Sequence, residues 1–484
     1  MKTILRFLIP VFCLFVFMGV SAQNNQVLYF MKLPQNHLLN PAFKPSNTLY
    51  IGLPGITGVG VNISNNFISF SELFARGTKI SKTTLPFIEP GFDRDRFLSR
   101  IKNLNYVEPQ VAVQLLGFGI AVNKDLYLFL DINERADANV VLPRDLIRIA
   151  FLGNDEFMGK SFDLSASRLD FNAYNEIGFG ASKNITPKLR IGAKAKLLFG
   201  ITAGSFRSNR IDLLVSNNYT LNTDMTLDMS GPVVFEYDQN NKVTNAKFDK
   251  DGGIKDFVGR MKNAGAGLDI GAVYEINRNI VVSASVTDLG FIRWKADISN
   301  LKAKNNIELA GLDLTDVYDG NSTIDDVIGS IADTLKNSFY GSTVGKPFTT
   351  GLPFGVSVGG QYIFNDIFSA GLLSYSRIQG KQVKEAFTLS GNMNLGSVFS
   401  GTLAYTLCNS SYDNFGIGLA ARGGPAQFYF LLDKIPFRWR SGGESGDKIV
   451  LPADWNTIHT RFGINLVFGY RKARPPKDVK DNEL

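Results

Sequence analysis

The sequence predicts an all-β fold: a transmembrane antiparallel β-barrel of about fourteen strands, with an N-terminal plug and long extracellular loops containing short helices. Three observations carry this expectation. Apolar side chains fall on alternate residues over runs longer than soluble strands need. Tight Asn- and Gly-rich turns alternate with long connections. After residue 22, no apolar run reaches helical membrane-spanning length.

The chain opens MKTILRFLIPVFCLFVFMGVSAQ. Lys2 and Arg6 precede an apolar core from Phe7 to Val20, and Val20-Ser21-Ala22 supplies a small-residue end before Gln23. Residues 1–22 therefore read as a cleaved secretory signal. Its removal takes Cys13 and leaves Cys408, so an exported chain has no disulfide framework and depends on backbone pairing and burial. The net charge of +7 falls by two, to +5, as Lys2 and Arg6 leave. That is too mild for a nucleic-acid partner, and no basic run interleaved with aromatics is present.

Residues 23–48, QNNQVLYFMKLPQNHLLNPAFKPSNT, break alternation with Pro34, Pro41 and Pro45 and cannot form a central strand. Their apolar Leu28, Tyr29, Phe30, Met31, Leu38, Leu39 and Phe43 suit a plug tucked into a lumen better than a free periplasmic tail.

Residues 49–471 are expected to form the barrel. Phe171, Ala173, Ile177, Phe179 and Ala181 share one parity against Asn172, Tyr174 and Glu176; Leu189 to Ile201 alternate against Arg190, Lys194 and Lys196. The pattern recurs over 264–276, 354–364, 387–395, 415–421 and 460–470. Soluble strands run about 5–6 residues, whereas a membrane barrel needs about 9–11 to cross the apolar layer. Aromatics near run ends (Phe171, Phe206, Tyr274, Phe291, Phe364, Phe399, Tyr405, Tyr470) match interfacial girdles, and an oily exterior around a polar bore reconciles 38 Phe with a mean hydropathy close to zero.

Short turns are expected at Asn123-Lys124, 184–188, Asn277-Arg278, Asn365-Asp366, Gly396-Ser397 and Gly423-Gly424. The longer connections are 73–106, 139–161, 207–263, 298–351, 379–384, 409–412 and 434–456, of which 207–263 and 298–351 are the large outer loops. With a first strand inside 49–70, the count is even and both termini fall on the short-turn side, as in bacterial outer-membrane barrels.

Within the outer connections, helical faces are expected at Ile324, Val327, Ile328, Ile331 and Leu335 behind a Ser322 or Thr323 cap, at 254–261, at Phe97 to Leu104, and over 143–153. Such faces pack on the barrel rim or line an apolar entrance. The tail RKARPPKDVKDNEL, residues 471–484, carries no alternation. Its part beyond 471 reads as a disordered periplasmic extension.

Catalytic signals are weak. The two histidines, His37 and His459, have no ligand spacing; GAGLDIG at 265–271 fails the dinucleotide-loop spacing; Asp249, Asp251 and Gly252 lack a calcium-loop ligand series. The chain is expected not to be an enzyme and to need no metal or cofactor. The candidates that remain are inward charges, Glu176, Arg190, Lys194, Lys196, Asp269, Glu275 and Arg461, which either pair structurally or form a selectivity lining.

With LPQNHLLNPAFKPSNTLYIGLPGITGVGVN in view, the chain resembles a family of Bacteroidota outer-membrane proteins of unknown function marked by an LPQ, NPAF and YIGLP signature. Within the plug motif Asn40, Pro41, Ala42 and Phe43, the stretch Asn40-Pro41-Ala42 is more distantly similar to the NPA element of FadL-type fatty acid transporters, and VTDLGFIRW at 286–294 is similar to PorP/SprF-like barrels. The resemblance implies an outer-membrane location and contact with outer-membrane lipid. It implies either passage of hydrophobic small molecules or, alternatively, a structural or partner-binding barrel associated with type IX secretion, gliding or surface attachment, with envelope protein partners.

Overall fold

The computed structural model describes residues 25–69, 93–152, 155–216, 219–248, 262–309, 336–341, 345–380, 382–408, 411–437, 439–442, 449–452 and 456–470, together with Asp333. The expected signal over 1–22, the tail beyond 471, the 254–261 helix and the helix face Ile324, Val327, Ile328, Ile331 and Leu335 lie outside the described residues.

Fourteen antiparallel strands close into a barrel. In chain order they are β1 (Asn47–Gly52 continuing as Gly58–Asn65), β2 (Leu104–Ala121), β3 (Leu126–Pro143), β4 (Arg168–Asn184), β5 (Leu189–Val215), β6 (Ala264–Glu275), β7 (Ile280–Trp294), β8 (Phe354–Ile363), β9 (Phe368–Gln379), β10 (Gln382–Leu395), β11 (Phe399–Cys408), β12 (Ser411–Gly423), β13 (Ala426–Leu432) and β14 (Thr457–Tyr470). Each pairs with the next, and β14 returns to both pieces of β1. Closure leaves no edge, which is what a lipid environment demands of a sheet, because lipid offers amides no partner.

Alternation decides which side chains face outward and which face the bore. Ile177, Phe179, Ile191, Leu197, Leu268 and Leu403 point outward and are exposed, while Asp131, Glu176, Lys194, Asp269 and Asn465 point inward and are buried. Among the described residues no helix is long and apolar enough to cross a membrane.

All six expected short turns are present. Four share one mechanism, an apolar residue, then Asn or Thr, two further residues and a second apolar residue. The side-chain oxygens of Asn123, Thr186, Asn277 and Asn365 each accept two backbone amides in the turn, and the flanking apolar residues close the hairpin, as from Val122 N to Leu126 O at 3.0 Å. Polar Asx and Ser/Thr turns of this kind supply the reversal without requiring glycine.

The long connections differ in part from expectation. β5 has 27 residues, about 90 Å of strand at 3.3 Å per residue, far more than a bilayer needs. Its upper half pairs with Tyr219–Ser230, so the stretch expected as loop 207–263 begins as a hairpin standing clear of the barrel. Ile298–Ala303 and Asn306–Leu309 extend this sheet. Two helices stand where they are expected, α2 (Arg94–Arg100), capped by Asp93, with Phe97 buried, and α3 (Arg144–Leu152), but the face expected from Phe97 to Leu104 is cut short, because Ile101 is extended and Leu104 begins β2. Ile149 of α3 packs with Phe157, Leu164, Ile211, Leu213 and Tyr219 into an outer hydrophobic cap.

Candidate functional site

Residues 25–46 lie inside the barrel. α1 (Gln26–Phe30) and a 3-10 turn (Pro34–Leu38) place Val27, Leu28, Met31 and Leu33 against Ala404, Ala420, Tyr429 and Leu431 of β11 to β13. Polar bonds fix the segment to the wall. Val27 N donates to Asp433 Oδ1 at 2.8 Å, Tyr29 Oη meets Ser283 Oγ at 2.7 Å, and Gln35 and Asn465 exchange amide bonds at 2.6 and 3.0 Å.

The Asn-Pro-Ala element is the tightest contact. Asn40 Oδ1 accepts Ala42 N at 2.9 Å, while its Nδ2 donates to the carbonyls of Ala272 and Ala284, and Ser182 Oγ donates to Ala42 O at 3.0 Å. Gly192 and Gly271 make this approach possible. A Cβ at Gly192 would stand 2.2 Å from Pro41 C, and one at Gly271 would stand 2.1 Å from Asn40 Oδ1.

Beside this contact, inward charges from five adjacent strands form one buried cluster. Lys194 Nζ lies 3.0 Å from Glu176 Oε1 and 3.2 Å from Asp131 Oδ2. Lys196 Nζ lies 2.7 Å from Asp269 Oδ1, 2.5 Å from Asp288 Oδ1 and 3.8 Å from Glu176 Oε2. Arg135 joins Asp288 Oδ1 at 2.8 Å and stands 3.3 Å from Glu176 Oε2 without hydrogen-bond alignment. Asn133 and Gln114 donate to Glu176 and Asp131. From residues 25–46, His37 Nε2 reaches Asp131 Oδ2 at 2.7 Å while Nδ1 faces Pro34 O at 2.5 Å, so the cluster also holds the segment. Four carboxylates face three fixed cations and one histidine; buried charges persist only with such pairing.

The sequence-derived candidates thus divide. Glu176, Lys194, Lys196 and Asp269 meet in the cluster. Arg190 and Glu275 sit near the short turns, lining a cavity of about 300 Å³ below residues 29–46, with Arg190 Nε donating to Asn184 Oδ1 at 2.8 Å. Arg461 stands apart on β14 near Asn25.

Asp131, Arg135 and Asp288 were not among the candidates, although each left a trace in the sequence. In β3, Tyr127, Phe129, Asp131, Asn133, Arg135 and Asp137 alternate cleanly against Leu128, Leu130 and Ile132, so the inward set was legible. Asp288 is marked by a parity flip: Val282, Ala284 and Val286 are even, Leu289 and Phe291 odd. A β-bulge causes the flip. Asp288 adopts φ 64°, its N–H bonds to Asp269 Oδ1 at 2.7 Å, and its carboxylate turns inward beside Thr287.

The fold and this interior define a class, the β-barrel of outer-membrane type, here with its own N-terminal segment seated in the bore. The chain belongs to a family of unknown function, DUF5723, whose model matches residues 41–433. No curated protein matches it. Among solved structures it is similar to a FadL homologue of Pseudomonas aeruginosa (10% identity, 94% of this chain and 100% of that chain, TM-score 0.40). It is also similar to the toluene transporter TodX of Pseudomonas putida (9%, 93% and 94%, TM-score 0.32) and to the translocator domain of the autotransporter NalP from Neisseria meningitidis (6%, 87% and 89%, TM-score 0.30).

Proposed function

We propose that this protein is an outer-membrane barrel that binds and passes hydrophobic small molecules without catalysis, with residues 25–46 as a plug and the wall, rather than the bore, as the route. One observation carries the reading. β1 is interrupted at residues 53–57, where Gly52 still pairs with Asn465 but pairing resumes only at Val59 with Phe462.

The interruption is a local turn, with Thr57 N bonded to Leu53 O and Gly55 at φ 75°, and it leaves Ile56 exposed. Beside it lies an apolar groove of about 440 Å³ lined by Ile56, Leu419, Phe428, Phe430, Phe462 and Ile464. Across the turn β1 keeps one backbone bond to β14, Ile464 N to Ile56 O at 2.8 Å, so this stretch of wall is held by fewer strand pairs than its neighbours and opens there at least cost. A solute already dissolved in the membrane would concentrate in the groove by apolar burial.

Removing residues 53–56 leaves Thr57 alone between Gly52 and Gly58 and lets β1 pair continuously. In proteoliposomes carrying an apolar fluorescent probe, the wild type is expected to speed uptake and this variant to return it to the protein-free rate. Equal uptake by the two proteins would remove the wall route.

The second reading is a structural or partner-binding barrel. The outer cap around Ile211, Leu213, Tyr219 and Leu221 favours it, because a packed sheet outside the membrane is more than a tether between strands. Envelope partners captured by the full chain, and lost when 207–230 is replaced by a short turn, would support that reading; no dependence on the cap would count against it.

A further inference from the structure

Between residues 25–39 and the side of the long connections, the bore keeps a cavity of about 130 Å³ whose walls are mainly polar. Its charges nearly cancel in pairs. Arg135 is matched by Asp288 and Glu176, Arg377 lies within electrostatic reach of Asp137, and the His459 ring lies against the Asp433 carboxylate. Arg461 is left over. It is 5% exposed, its Nη1 touches Asn25 Oδ1 only at 3.4 Å, its guanidinium lies beside the neutral Tyr429 hydroxyl, and its Nε has no hydrogen-bond partner. Among the described residues no carboxylate stands within ion-pair range of it. A buried guanidinium without an anion is costly, because desolvation of the charge goes uncompensated.

A second orphan faces the same space. Asn62 is 6% exposed, donates through Nδ2 to Gln110 Oε1 at 3.1 Å, and leaves Oδ1 without a donor. Asn62 pairs across the sheet with His459 and Gly60 with Arg461, so Asn62 and Arg461 are diagonal neighbours, about 7–8 Å apart at the backbone. Their demands are complementary: Arg461 needs an acceptor, preferably anionic, and Asn62 Oδ1 needs a donor.

We infer that this cavity binds a small anion that also carries a hydroxyl, a hydroxycarboxylate or hydrogen phosphate, with the anionic oxygens on Arg461 and the hydroxyl donating to Asn62 Oδ1. The site is separate from the apolar groove on the outer wall, so binding here can fail while probe uptake persists, and the reverse.

Calorimetric titration of the purified full chain in detergent tests the assignment with four probes: lactate, propionate, inorganic phosphate and glycerol. Lactate and phosphate are expected to bind saturably, propionate more weakly than lactate, and glycerol not at all. Arg461→Gln should weaken phosphate binding about tenfold or more, the size of a lost charge-assisted bond. Asn62→Leu should remove the advantage of lactate over propionate, and it tests the site independently if Arg461→Gln fails to fold. Equal heats from glycerol and phosphate, absence of saturation, or phosphate binding indifferent to a folded Arg461→Gln would each overturn the site. Equal affinity for lactate and propionate would overturn the role of the hydroxyl.

Discussion

Replacing Gly192 with valine is expected to drive residues 40–42 off the wall and turn a sealed barrel into a conducting one. The glycine hydrogen faces Pro41 so closely that even a Cβ would stand 2.2 Å from backbone carbon and oxygen. These atoms belong to a proline whose ring restricts adjustment, and the neighbours on both sides are committed: Asn40 to Ala272 and Ala284, Ala42 to Ser182. Overpacking of this kind costs about 1–3 kcal/mol when a core can adapt. Here it also breaks the bonds of Asn40. Gly391, where a Cβ would meet nothing within 4 Å, is the control. In planar bilayers, Gly192→Val should raise conductance severalfold over wild type and Gly391→Val should leave it unchanged; equal conductance in all three would mean that this contact does not hold the segment.

The second large effect concerns the charge cluster. Glu176→Gln removes the carboxylate that faces Lys194, Arg135 and Lys196 at once, in a pocket where its side chain has no exposure. The amide keeps the volume and one acceptor, so the loss is electrostatic: three cations lose their shared counter-ion. Breaking a buried pair by removing one partner costs about 3–5 kcal/mol, whereas exposed pairs contribute little. The midpoint of urea unfolding, read from the heat-modifiable mobility of the folded barrel, should fall accordingly. Lys247→Gln, in an exposed pair with Glu236 on the separate two-stranded hairpin of Val233–Tyr237 and Val243–Phe248, should leave that midpoint where it was. A Glu176→Gln midpoint equal to wild type would mean that water, not Glu176, compensates the lysines.

Much of the fold is legible in the sequence because a closed barrel with an apolar outside and a polar inside imposes period-two patterning on every wall strand. The even count, the short turns, and the inward parity of Glu176, Lys194, Lys196 and Asp269 follow from that rule. Features set by local geometry are harder to read. The break at 53–57 leaves the glycines and apolar residues of YIGLPGITGVGVN looking like one continuous strand. Asp288 announces itself only through a change of parity. The 27-residue β5 loses its alternation at Arg207-Ser208-Asn209-Arg210, where a bulge shifts the register, so 207–215 read as loop. Which inward charges meet also depends on register, since Glu176 reaches Lys194 and Lys196 across β4 and β5 only because Gly178 pairs with Lys196 and Gly180 with Lys194.

Two adjacent leucines test the central claim, a barrel with lipid outside and its own N-terminal segment within. Leu372 is 60% exposed on the outer wall, while Leu373 is 4% exposed and packs against Tyr29 and Phe30. With Cys408 replaced by serine, nitroxide labels at Leu372→Cys and Leu373→Cys are examined by electron paramagnetic resonance in liposomes. The label at 372 should be mobile and collide with oxygen dissolved in the bilayer. The label at 373 should be immobile and become mobile and water-accessible once residues 25–46 are deleted. Matching spectra at the two positions, or a label at 373 indifferent to that deletion, would contradict the arrangement.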